Sequence, residues 1–293
     1  MPSTRRGAGS TRSGTNAGSR RKAASLTRIL GALELQVTGS PTEYRFGKRG
    51  EFTALVADSA ELRRRAAAVG RPRKPGIHDL LPSATVFLVE KAGRDVATAS
   101  VAMDGPLGLP ADAAARRQLD ALRAAGRRPA EIHAVGVAGS LGFAAKDVLL
   151  HLFRLAHLCA RKMENATDIL VAAPPRHAGY TKRFAMQLMT LLVPGADVAA
   201  GSAVLRLNLD DAEMEYYTRY AGLPGDRDLH NFMHDDELYA LAWLKKHRLP
   251  LAEEDLLELL AERREQYAAL PAAQRHAFED LYLAYDLRRM FEG

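Results

Sequence analysis

The chain is most informative first in what it lacks. It has one cysteine, Cys159, in 293 residues. That excludes an internal disulfide and a Cys-rich metal site, and it fits a reducing compartment. Cys159 sits at helical spacing among Leu152, Leu155 and Leu158 and reads as a small core residue, not a nucleophile. No apolar run reaches the length of a membrane span. The N-terminal segment has no apolar h-region, so no secretory signal is read and the expected location is cytoplasmic. There is no internal repeat. The first 28 residues contain no acid at all, yet carry Arg5, Arg6, Arg12, Arg20, Arg21, Lys22 and Arg28. These seven charges exceed the net charge of +6 by one, so the rest of the chain is net −1. The basic balance therefore belongs to a tail and not to a basic globular face.

Residues 1–40 are expected to be a disordered basic tail. They are rich in Ser, Thr, Gly and Arg and cannot bury enough apolar surface to fold. Such a tail can touch nucleic acid, anionic lipid or an acidic protein through non-specific electrostatics. Any nucleic-acid contact is expected there alone.

With hydrophobic residues at 47%, the remaining chain can build a sizeable core. A short strand is expected at Tyr44–Gly47 and a helix at about Glu51–Ala68, with Phe52, Leu55, Val56 and Leu62 as its apolar residues. Residues 70–78 read as a Pro/Gly/basic loop. Ala84–Val89 and Asp95–Met103 read as a hairpin joined at Ala92-Gly93. A helix at Ala111–Ala125 and a strand at Glu131–Ala138 follow. Ala145–Lys162 has apolar residues almost all round and reads as a buried helix. Asp168–Ala173 is a short buried strand, Arg176–Leu188 a helix, and Ser202–Leu209 a final alternating strand. The order β-α-β-β-α-β-α-β-α-β is that of an α/β (α+β) domain, expected over 41–225. A C-terminal helical extension over 226–293 is expected from Asp236–Lys246, Glu253–Ala268 and Pro271–Met290. It can cap the domain, form an oligomer contact or cover a site. Pattern alone does not choose among α/β topologies.

The segment Ala102–Val137 says more. Asp104 ends a strand, and Gly108-Leu109-Pro110 makes a tight turn. Pro110 and Asp112 suit the start of a helix. Leu119 and Leu122 share its face, and Gly126 suits its left-handed end. The order D-x-P-L-G-L-P-x-D (Asp104–Asp112), L-D-x-L-R-x-x-G-R (Leu119–Arg127) and A-E-I (Ala130–Ile132) resembles the FeeM-type N-acyl amino acid synthases. These are acyltransferases of the GNAT superfold, related to the acyl-homoserine-lactone autoinducer synthases. The resemblance covers roughly Tyr44–Asp210. It implies a mixed central sheet in which Glu131–Ala138 and Asp168–Ala173 are adjacent, parallel and splayed at their C-terminal ends.

The resemblance also implies site residues. The backbone of Val135, Gly136, Val137 and Gly139 would bind the donor's pantetheine amides as if it were a missing strand. Gly139-Ser140-Leu141-Gly142-Phe143-Ala144 partly matches the GNAT pyrophosphate loop, with Gly139, Gly142 and Ala144 at the pattern positions but no leading Gln or Arg. Backbone N–H groups converging before a helix suit a phosphate, although Gly-rich strand-to-helix turns also occur without one. Glu131 matches an acidic family position and can take a proton from an acceptor ammonium, directly or through water. A solvated strand edge carries the same residue type. The Arg that often follows three residues later is Ala134 here, with His133 before it. Asp104 is expected to shape the acceptor site or pair with a basic side chain; it also suits a turn before Gly105-Pro106. Pro174–Arg183 resembles the family's N-P-R-H-x-x-F-Y-x-R segment at Pro175, Arg176, His177 and Arg183, with Tyr180 in the Phe place and Thr181 in the Tyr place. Tyr180 is the candidate to protonate the leaving thiolate. His177 is the candidate for the acceptor side, and also suits a helix start.

The resulting expectation is an N-acyltransferase that moves a fatty acyl group from an acyl-carrier-protein or CoA thioester to an amino-acid-like amine. It needs no cofactor beyond that thioester substrate and no metal. His230 and His234 have i,i+4 spacing but lack the glutamate context of a zinc site. An acidic carrier protein would be met by Arg71, Arg73 and Lys74, or by Arg123, Arg127 and Arg128. The alternative is a degenerate GNAT-like module that binds an acyl thioester or a protein partner, a reading favoured by Ala134 and Thr181.

Overall fold

The computed structural model describes residues 42–70, 76–173, 183–191 and 203–287. The basic tail, Arg71, Arg73, Lys74, His177 and Tyr180 lie outside them. Residues 41–293 form one compact unit, into which the C-terminal helices are packed.

Eight described strands form one sheet. They are β1 (Tyr44–Phe46), β2 (Phe52–Val56), β3 (Thr85–Lys91), β4 (Arg94–Met103), β5 (Pro129–Val137), β6 (Asp168–Ala173), β7 (Gln187–Leu191) and β8 (Ala203–Asn208). The spatial order is β1-β2-β3-β4-β5-β6-β8-β7. Every neighbouring pair is antiparallel except β5 and β6, which run parallel. The central strands are buried on both faces, which explains why β3 reads as a continuous apolar run and not as an alternation. The β3–β4 hairpin closes on Ala92 and Gly93, both with positive φ (49° and 72°), as a two-residue turn of matching twist requires.

The helices divide between two faces. On one lie α3 (Ala145–His157), its π-helical continuation Leu158–Met163, α4 (Leu209–Tyr220), α5 (Leu229–His234) and α6 (Glu237–His247). Trp243 and Leu244 of α6 join Leu155, Leu158 and the inward residues of β1–β5 in the largest core cluster. On the other lie α1 (Ala60–Ala68) and α2 (Asp112–Ala124). Beside them are α7 (Glu253–Ala261), α8 (Arg264–Ala268) and α9 (Ala272–Asp280). Leu256, Leu259, Leu260, Tyr267 and Phe278 from α7–α9 pack on Ile77, Leu80 and Leu107, fixing the loops above the sheet. Polar contacts tie the same region: Ala60 N donates to Asp255 Oδ1 at 2.8 Å, and Arg64 pairs with Glu258 and Glu262.

Three expected boundaries are corrected. Glu51–Ala68 is not one helix, because Phe52, Ala54 and Val56 alternate inward as β2 while Thr53 and Leu55 face the other way. Ser59 then starts α1, its side chain accepting from Leu62 N at 3.3 Å. Gln187 and Leu188, expected to end a helix, begin β7 and pair with Arg206 and Leu205. The last helix stops at Asp280, short of Met290.

The feature that positions the site is a fork. β5 and β6 pair from Pro129↔Asp168 to Ile132↔Val171, and there the parallel register ends, although β5 continues to Val137. On its other edge β5 holds β4 through a bulge. Thr98 pairs with Gly136 and Ser100 with His133, so one β4 residue faces two of β5. Ala134, inside the bulge, has φ 54°. The bulge re-aims β5 away from β6, and the strands part from His133 onward.

Candidate active site

The open edge of the fork is the backbone from His133 to Val137, with Val135 47% exposed. Gly136 is required by its neighbour: a Cβ there would lie 2.5 Å from the Val69 carbonyl oxygen. Beyond Val137 the chain makes a tight 3-10 stretch, Gly139–Ala144, which runs into the N-terminus of α3. Gly142 there has φ 51° and ψ −125°, a conformation open to glycine only. Cβ atoms built at Gly139 and Gly142 would meet nothing within 4 Å among the described residues. Phe143 is fully exposed beside it.

Glu131 lies one step inside the fork, opposite Ala102 on β4 and Leu170 on β6. It is not a solvated edge carboxylate. It is 2% exposed, and its Oε2 accepts a hydrogen bond from Ala111 N at 2.7 Å, just before α2. Burial pushes its pKa up to about 8, against the pull of the Ala111 N–H and with a further rise from the Asp112 charge.

His133 is the next residue on the same face of β5. Its Nε2 is 3.5 Å from Asp79 Oδ1. Asp79 is 1% exposed and sits in the turn Ile77–Leu80, where its Oδ2 accepts from Gly76 N at 2.7 Å. Arg63 of α1, fully buried, donates to the Asp79 carbonyl and, at 2.5 Å, to Ala57 O. Ser100, directly across the β4–β5 pair from His133, is buried, and its Oγ makes no hydrogen bond among the described residues. His78 on the same turn as Asp79 is half-buried, and desolvation lowers its pKa. Asp79 and His78 escaped the sequence reading because their turn is far from β5 in the chain. The only available signal was the placement of His133 two residues after Glu131 on one strand face.

Asp104 is clamped by Arg123, whose Nε and Nη2 donate to its two oxygens at 2.8 and 2.7 Å. The same guanidinium holds Asp112 at 2.6 and 2.8 Å and Asp120 at 2.9 Å. Burial alone would raise the Asp112 pKa, but Arg123 and the Leu109 N–H hold it below the ordinary value. Arg127 is likewise engaged by Asp168 at 2.8 Å and Asp210 at 2.7 Å. Arg123 and Arg127 are therefore committed to ion pairs within the domain, which corrects their reading as a docking patch for an acidic carrier. Cys159 is completely buried, its Sγ 3.2 Å from Thr85 Oγ1, and burial raises its pKa. His234 is paired with Glu237 and Glu213. No group of three or more His, Cys, Asp and Glu among the described residues has metal-binding geometry. No described helix is long and apolar enough to cross a membrane.

A mixed sheet in this strand order, forked between its one parallel pair and with a glycine turn leading into the following helix, defines a GNAT-fold acyltransferase. Residues 51–191 match the family of the N-acyl amino acid synthase FeeM. No curated protein matches the chain. Among solved structures, FeeM from uncultured soil microbes is 18% identical, with 56% of this chain and 94% of that chain covered and a TM-score of 0.49. The ribosomal-protein-S5-alanine acetyltransferase of Vibrio fischeri is 11% identical, with 59% and 99% covered and a TM-score of 0.37. The aminoglycoside N(6')acetyltransferase of Legionella pneumophila is 10% identical, with 47% and 73% covered and a TM-score of 0.33.

Proposed function

We propose that the protein transfers a fatty acyl chain from an acyl-carrier-protein or CoA thioester to the amine of an amino acid. The observation that carries this is the fork, where among the described residues β5 has no β6 partner beyond Ile132, with a buried carboxyl of raised proton affinity, Glu131, at its root. An extended pantetheine arm suits that edge, since its amides can pair with the backbone of Val135–Gly139 as an added strand does. The Gly139–Ala144 turn, at the start of α3, offers N–H groups to the arm's phosphate.

The reaction forms a C–N bond and breaks a C–S bond. The acceptor ammonium first loses a proton, because only the neutral amine has a lone pair for attack. Glu131 is suited to receive it, directly or through an intervening group, because its pKa of about 8 approaches that of an amine. The tetrahedral intermediate then expels the thiolate. Tyr180 is assigned the proton that neutralises it and recovers one from the new amide nitrogen. Asp104 and His177 are assigned to the acceptor side, Asp104 by holding Arg123 and the turn before α2 in place. The acidic carrier would meet Arg71, Arg73 and Lys74.

The test supplies hexadecanoyl-acyl carrier protein or hexadecanoyl-CoA together with the twenty amino acids, and follows free thiol and amide product. Thiol release that depends on an amino acid supports the reading. Release that is the same without amino acids reduces it to thioester hydrolysis, and no release contradicts it.

A further inference from the structure

Glu131 alone leaves a gap in the chemistry. At 2% exposure, and with one oxygen on Ala111 N, it lies beneath the start of α2 and not on the open side of the fork. An acceptor nitrogen attacking a thioester at the fork needs a proton acceptor nearer the opening.

We infer that His133 is the catalytic residue that takes the proton from the acceptor amine, and that Asp79 is its positioning residue. This rests on the acyl-transfer reading above. Three observations carry it. His133 is the first β5 residue beyond the last β5–β6 pair, so it stands at the crotch of the fork, whereas Glu131 is still inside the paired region. Its Nε2 faces a carboxylate, Asp79 Oδ1, at 3.5 Å. That carboxylate is itself fixed, by Gly76 N on its other oxygen and by Arg63 on its backbone carbonyl. The bulge at Ala134 immediately follows, so the backbone that re-aims β5 also sets the angle of the imidazole. A carboxylate this close to the ring stabilises the imidazolium that forms on proton uptake.

The step balances as follows. The ammonium gives one proton to His133, and the freed lone pair forms the C–N bond. The C–S pair leaves with the thiolate, which is neutralised by a proton that originates on the attacking nitrogen. The imidazolium returns its proton to Glu131 or to water, so each turnover releases one proton. The charges of Arg63 in α1 and His78 on the same turn act on Asp79; Arg63 also feels Tyr282 and Asp58, and Asp112 acts on both His78 and Glu131, the latter on the same strand as His133. Asp79 is in contact range of the imidazole, its Oδ1 3.5 Å from His133 Nε2.

The experiment uses the full chain, the two hexadecanoyl donors and the amino-acid mixture. His133→Ala is expected to lower the acyl-transfer rate roughly 10²-fold or more. Millimolar imidazole should restore part of it, a rescue that a purely structural histidine would not allow. In parallel, the ring of His133 is titrated by NMR in the wild type and in Asp79→Asn. Removing the carboxylate charge should move the His133 titration to lower pH. Wild-type turnover with an unchanged rate in His133→Ala overturns this inference and leaves the acyl-transfer reading standing. A slow His133→Ala that imidazole does not rescue overturns the catalytic role. A His133 titration that ignores Asp79→Asn overturns the positioning role. No product from the wild type with either donor overturns the acyl-transfer reading and this inference with it.

Discussion

Replacing Glu131 by Gln should change how stability depends on pH, and the size of the change follows from burial. Glutamine keeps the shape of the protonated carboxyl and can still accept from Ala111 N. What it removes is a titration. In the unfolded chain the carboxyl ionises near 4.5, whereas in the fold burial delays ionisation to about 8. Between those values the native state holds one proton more than the unfolded state. Stability therefore falls as pH rises, by about 1.4 kcal/mol per pH unit for this group. The contribution is fully present below 4.5 and fully lost above about 8, a span of about 5 kcal/mol for a shift from 4.5 to about 8. Urea unfolding at intervals from pH 4.5 to 9 measures this as the difference between wild type and Glu131→Gln. The Gln variant should become progressively the more stable of the two as pH rises, with the difference levelling above pH 8. A difference that stays flat across the range would refute the claim that this carboxyl is desolvated. A difference of opposite slope would mean that the fold stabilises the carboxylate rather than the acid.

Glycines around the fork separate packing from ligand space. Gly136→Ala places a methyl 2.5 Å from the Val69 carbonyl oxygen and should cost about 1–3 kcal/mol by thermal or urea unfolding. Gly139→Ala meets nothing within 4 Å and should stay within about 0.5 kcal/mol of wild type, yet weaken donor binding measured by calorimetry. Arg123→Met strands the buried-side oxygens of Asp104 and Asp112 and should cost roughly 1–3 kcal/mol. In kinetics, Glu131→Gln should lower the acyl-transfer rate by roughly 10²–10⁴ if the carboxyl serves as base, with partial recovery at higher pH, where free amine is more abundant.

Much of the sheet was legible because its strands have local signatures. Asp168–Ala173 is a short apolar run, and β6 has those same limits. The Ala92-Gly93 turn between two β-branched runs marked the central hairpin. β2 was not legible, since five residues of alternation among charged neighbours also fit a helical stripe. In α6, Leu238 is exposed while Ala240, Trp243 and Leu244 face the core, because the sheet and not the helix chooses the inward face. The site divides in the same way. Glu131 stood out through the wording of its segment. Its burial did not, since that depends on Ala111 folding back over β5, twenty residues earlier in the chain. Asp79 and His133 are brought together only by sheet order, and the engagement of Arg123 and Arg127 by five aspartates depends on side chains from four separate segments.

The central claim is that this chain acylates an amine, and mass spectrometry of lipid extracts tests it most directly. Cells expressing the wild-type chain should accumulate N-acyl amino acids that are absent from cells expressing Glu131→Gln and from cells without the protein. The acyl length and the acceptor would be read from the same spectra. Identical lipid profiles in all three, with the wild-type protein folded and abundant, would contradict the account.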